Sequence, residues 1–129
     1  MRQFRKIILL LLFVLVGASV NAQNETEALV QNLQTANFNS LLSYWDSQVE
    51  VNMPDLNGLK QYSASEANEI LKSFFSKKNI LGFEKNAARQ VGTTVYLTGK
   101  LVSANSKFNI TMLLQQNKNG LAIISLRVN

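Results

Sequence analysis

The 129-residue chain has no cysteine, no histidine, a single proline and a single tryptophan. Without cysteine there are no disulfide staples, no thiol nucleophile and no thiolate metal ligand. Without histidine the commonest general base and metal ligand are missing, and with them every Ser-His-Asp or Cys-His arrangement. The carboxylates are scattered and lack calcium-loop spacing, so no metal site and no cofactor is expected. Stability has to come from packing alone.

The N-terminus carries Arg2, Arg5 and Lys6, then an apolar run from Ile7 to Val16, then Gly17, Ala18 and Ser19. Val20-Asn21-Ala22 completes the small-x-small pattern of a signal-peptidase site. The run is well short of the roughly 20 residues that span a bilayer. We therefore expect residues 1–22 to be a signal peptide cleaved near Ala22, and residues 23–129 to form one exported, periplasmic or secreted domain with no membrane span. Three of the 13 basic residues leave with the signal, so ten Lys and Arg face eight Asp and Glu, a net of +2. That balance, with no basic run carrying interleaved aromatics, argues against a nucleic-acid partner.

The most informative stretch is Val91 to Asn129, which reads as a three-stranded antiparallel meander. Val95, Leu97, Gly99 and Leu101 alternate with Thr94, Tyr96, Thr98 and Lys100, the period of a half-buried strand. With Ala104-Asn105 at the tip, Leu101 faces Phe108, Gly99 faces Ile110, Leu97 faces Met112 and Val95 faces Leu114. For the next connection, parity favours a three-residue loop, Lys118-Asn119-Gly120, with Gly120 left-handed. It sets Leu114 opposite Ile124, Met112 opposite Leu126 and Ile110 opposite Val128. The expected inner face then includes Ala122 and Ile124 and contains no acid, base or nucleophile. Tyr96, Leu113, Leu121 and Ile123 are expected on the outer face, as the contact surface of a homodimer.

Upstream, Thr26, Leu29, Val30 and Leu33 predict one face of a helix over Glu25–Thr35. Phe38, Leu41, Leu42 and Trp45 recur at helical spacing in a second, capped by Asn37 or Asn39 and ended by Asp46-Ser47. Val49, Val51 and Met53 predict a strand, Pro54 to Gly58 a turn and Leu59 to Tyr62 the return strand. Ser63 and Glu66 form a capping box that opens a third helix with Ala67, Ile70, Leu71, Phe74 and Phe75 inward, stopping near Lys78-Asn79. A further strand is expected within Ile80–Gln90, although Glu84 to Arg89 shows no clear period.

Two helices, a hairpin, a third helix and a long meander make an α+β order that resembles the nuclear transport factor 2-like (cystatin-like) superfamily, including its small exported bacterial members of unassigned function. The passage from Asn37 to Val51 is similar to that superfamily's helix-to-first-strand connection. The resemblance implies a cone in which a curved antiparallel sheet wraps the helices. It carries over no catalytic residue: Asn52 and Met53 precede Pro54 where the isomerase branch has an Asp, and the His-dependent dehydratase pair cannot be formed. The ligand-contacting candidates are Tyr44, Trp45, Asp46, Asn52, Phe74 and Met112, although aromatics and methionines at this spacing also serve as plain core. The favoured reading is a noncatalytic domain that binds a small apolar molecule or an envelope protein. The alternatives are an isomerase- or dehydratase-like enzyme working through Asp46 or Glu50 with Tyr44, and an assembly module with a filled core.

Overall fold

The computed structural model describes residues 23–129; the segment read as a signal peptide lies outside them. Helix α1 covers residues 23–34 and buries Thr26, Leu29, Val30 and Leu33, the face that the spacing indicates. Ala36 turns the chain with a φ of 53°. Helix α2, Phe38–Leu41, is a single turn capped by Asn37, whose Oδ1 accepts the Ser40 N–H at 3.3 Å.

Beyond α2 the expected helix does not continue. The chain tightens into a 3-10 turn, Leu42–Tyr44, and Trp45 is already the first residue of strand β1, Trp45–Asn52. The tighter turn moves Leu42 out of the apolar stripe and leaves it 44% exposed. Trp45 is 6% exposed, but it reaches the core from an extended backbone and not from a helix. Strand β2, Lys60–Tyr62, returns antiparallel to β1 with Val49 opposite Tyr62.

Helix α3, Ala64–Lys77, begins with the full capping box. Ser63 Oγ accepts the Glu66 N–H, and the Glu66 carboxylate accepts the Ser63 N–H, each at 3.3 Å. The helix buries Ala67, Leu71, Phe74 and Phe75, with Ile70 half-buried. It also buries Asn68, which composition does not flag. Asn68 Oδ1 accepts the Trp45 Nε1–H at 2.9 Å, and its Nδ2–H donates to the Phe38 carbonyl at 3.1 Å. One carboxamide thereby joins α2, β1 and α3, giving the buried indole N–H its acceptor and the Phe38 carbonyl a second donor beside the Leu42 N–H.

The sheet has six strands in the order β2-β1-β6-β5-β4-β3, with β3 Gly82–Val91, β4 Thr94–Val102, β5 Lys107–Asn117 and β6 Gly120–Val128. It is mixed and not purely antiparallel, because β1 runs parallel to β6. The β4–β5 register is the one derived above, pair for pair from Val95–Leu114 to Leu101–Phe108.

The β5–β6 register differs from the expectation in its first half. Asn117 pairs with Gly120 across a two-residue turn, Lys118-Asn119, and Leu114 faces Ile123 and not Ile124. Ile124 is the extra residue of a bulge, after which Met112–Leu126 and Ile110–Val128 pair as expected. Leu121 and Ile123 therefore point inward, at 8% and 0% exposure, and cannot belong to an outer contact face. Ala122 and Ile124, expected inside, are half-buried. The apolar run 121–124 hides this because either parity offers two apolar residues to the core.

A second bulge lies in edge strand β3. Lys85 pairs with Gly99 and Ala87 with Thr98, leaving Asn86 unmatched. This extra residue explains why Glu84 to Arg89 lacks a period. Gly99 is required by the same crossing: a Cβ there would lie 2.5 Å from Phe83 Cε2 and against the Glu84 carbonyl oxygen.

Two changes test these contacts. Gly99→Ala is expected to cost about 2 kcal/mol or more by overpacking. Asn68→Leu, nearly the same size, is expected to cost about 1–3 kcal/mol by leaving the buried indole N–H unpaired. Urea unfolding followed by the fluorescence of Trp45 measures both, and an unchanged midpoint for either would refute the corresponding contact.

Candidate functional site

The residues singled out from sequence do not converge on one pocket. Tyr44 is half-buried against the core, Asp46 is half-buried on β1, and the indole N–H between them is committed to Asn68. Met112 is 1% exposed in the centre of the sheet, between Leu97 and Leu126. The core is apolar throughout: the only buried polar side chains among the described residues are Thr26 and Asn68. No ionisable side chain among them is buried, so no acid or base faces a dry interior where its reactivity would be tuned. Among the described residues no group of three or more Asp and Glu is placed to hold a metal ion.

Phe74 and Asn52 do reach hollows, and these are neighbours. Phe74 forms part of an open groove of about 360 Å³ between α3 and the turn after β1. Its apolar lining is Met53, Leu56, Ile70 and Phe74, and its polar edge is Asp55, Glu69, Ser73 and Lys77. Asn52 lies in an adjoining shallower hollow that shares Met53 and also includes Pro54 and Arg127.

Local sequence explains how the groove is held. Glu69, Ile70, Ser73, Phe74 and Lys77 recur at three and four residues, so they form one stripe along α3. The facing wall is the Pro54–Gly58 turn, closed by the Leu56 N–H on the Met53 carbonyl at 3.0 Å and by Gly58 at φ 83°. Phe74 is fixed edge-on to Phe108, with ring centroids 5.1 Å apart. Lys78, the C-cap of α3, lies 3.9 Å from Asp55 at one end of the turn. The groove thus has a rigid apolar floor with both charge signs on its edge, and it can hold an apolar group while leaving a polar end in water. Sequence reading names Phe74 as a ligand-contacting candidate within the cone and does not group it with Met53, Leu56 and Ile70. Only the turn's folding back on α3 brings them together.

The comparisons with known proteins agree with this architecture. The model of a domain of unknown function, DUF4783, matches residues 26–129. The fold is similar to a DUF4783 family protein from Bacteroides fragilis, at 22% identity and TM-score 0.68, covering 77% of this chain and 91% of that one. It is similar to another from Bacteroides uniformis, at 18% identity and TM-score 0.71, covering 80% and 94%. A nuclear transport factor 2-like protein of unknown function from Cytophaga hutchinsonii matches at 15% identity and TM-score 0.60, covering 84% and 88%. No curated protein matches the chain. With the three helices packed on one six-stranded sheet and a family match from Thr26 to the last residue, the chain belongs to the DUF4783 family and has a nuclear transport factor 2-like fold.

Proposed function

We propose that this is an exported, noncatalytic binding domain whose groove between α3 and the Pro54–Gly58 turn holds a small apolar group. The observation that carries this reading is the apolar lining of that groove, where half-buried Leu56 and Ile70 border the buried side chains of Met53 and Phe74. The absence of buried ionisable groups among the described residues supports binding over turnover. Export rests on the basic-then-apolar N-terminal pattern and the small residues before Gln23. No helix among the described residues is long and apolar enough to cross a membrane.

A second reading, compatible with the first, concerns the outer face of the sheet. The register places Arg89, Tyr96, Leu113, Ser125 and Glu50 in one row across five strands. Tyr96 is 43% exposed, Leu113 and the bulged Ile124 are half-buried, and Arg89 and Glu50 are exposed at the two ends. A two-fold axis along β5 would lay Leu113 on its own copy, Tyr96 on Ile124 and Ser125, and Arg89 on Glu50. The row is self-complementary in charge, as a symmetric dimer requires. Tyr96 and Leu113 remain in this contact, and Ile124 takes the place expected for Leu121 and Ile123.

For the groove, native mass spectrometry of the protein expressed from its full-length gene in its own host is expected to show a copurifying small molecule that is lost on denaturation. Ile70→Glu is expected to weaken its retention at least about tenfold by burying a charge in the apolar floor. Retention unchanged by Ile70→Glu would reject the groove as the site. For the sheet face, sedimentation equilibrium is expected to show a dimer that Arg89→Glu weakens about tenfold and that Arg89→Glu with Glu50→Arg restores. A monomer at tens of micromolar would rule out the pairing.

A further inference from the structure

A second cleft, also of about 360 Å³, lies on the opposite flank of the domain between α1 and the edge of the sheet, with Glu27 on the helix side and Lys85, Ala88, Gln90 and Val95 on the sheet side. It continues into a smaller hollow of about 190 Å³ where Glu27 and Lys85 recur beside Gln31 and Gln34. The bulge at Asn86 builds this cleft. In an unbroken strand Lys85 would point to one face and Ala88 and Gln90 to the other. The unmatched residue resets the alternation, so that Lys85, Ala88 and Gln90 all face α1 beside Val95, the β4 partner of Gln90.

The charges in this cleft are uncommitted. Elsewhere on the same flank Glu25 accepts the Leu121 N–H at 3.0 Å, and Glu84 lies 3.7 Å from Lys107. Glu27 and Lys85 line both hollows, yet neither makes an ion pair within 4.0 Å among the described residues. One acid and one base thus stand on facing walls without neutralising each other, with the Gln90 amide lining the larger hollow and the Gln31 and Gln34 amides the smaller, each able to donate and accept hydrogen bonds. A simple cation or a simple anion would satisfy only one wall. The volume is at the small end of ligand pockets, which run from roughly 300 to 1,000 Å³.

We propose that this cleft binds a small zwitterion of the amino acid or dipeptide class, its carboxylate on Lys85 and its ammonium on Glu27, with the amides of Gln31, Gln34 and Gln90 facing its peptide group. The ligand is polar and the site is separate from the apolar groove on α3, so the two assignments stand or fall independently. The probe is L-alanyl-L-alanine, titrated calorimetrically into the protein expressed from its full-length gene. Saturable binding is expected, and N-acetylation or C-terminal amidation of the probe should each weaken it at least about tenfold, the loss of one charge-assisted contact. Glu27→Gln and Lys85→Gln should do the same with an unchanged circular dichroism spectrum, since both side chains are exposed. The double exchange Glu27→Lys with Lys85→Glu should keep affinity within about threefold, because a zwitterion can turn end for end. Ile70→Glu should leave this binding untouched. No saturable heat, equal binding of the blocked probes, or loss of binding in the double exchange would each overturn the proposal.

Discussion

The Trp45 indole N–H lies in the core, where a donor without an acceptor costs free energy, and its acceptor is Asn68 Oδ1. The other end of the same carboxamide donates to the Phe38 carbonyl, which also accepts the Leu42 N–H that closes the one-turn helix. These two bonds fix where α3 crosses the start of β1 and hold α2 in place, since α2 is too short to be stable alone. The α3 groove depends on this crossing, because the same helix that buries Leu71 and Phe75 must turn its Ile70–Phe74 side toward the Pro54 turn. Phe38 and Phe75 complete the junction edge-to-face, with ring centroids 5.0 Å apart.

The two bulges do for the sheet what Asn68 does for the helices. At Ile124 the extra residue lets a tight two-residue turn and an inward Leu126 coexist in one strand. At Asn86 it sets three residues of β3 toward α1. The start of β6 overhangs the start of β1, which pairs with it only from Ile123 onward, and the Leu121 N–H is taken by the Glu25 carboxylate of α1. Gly120, beside that carboxylate, adopts a φ of 111° that L side chains rarely take. The helix is thereby pinned to the sheet at a point where the strand ladder has run out.

These constraints distribute the chemistry in a consistent way. The described interior is apolar apart from two satisfied polar side chains, and the charged side chains lie outside it on helices, strands and turns alike. Two hollows of similar size and different lining lie on opposite flanks of the domain.

Whatever depends on local period and local hydrogen bonding can be read from the residues alone. The capping box at Ser63 and Glu66, the inward faces of α1 and α3, the β4–β5 register and the absence of thiol and imidazole chemistry were all legible there. In each case neighbouring residues alone carry the signal. Tertiary structure decided what depends on a choice between equivalent local options. The run 121–124 is apolar in both parities, so only the fit of Leu126 against Met112 selected the bulge and sent Leu121 and Ile123 inward. Trp45 was expected on a helix by spacing, but the Asn68 acceptor 23 residues away accompanies its place on a strand. Met53 and Leu56 meet Ile70 and Phe74, and Glu27 meets Lys85, only through the packing of elements far apart in the chain. Residue spacing cannot encode such meetings, because it describes each element's own faces and not which element will cover them.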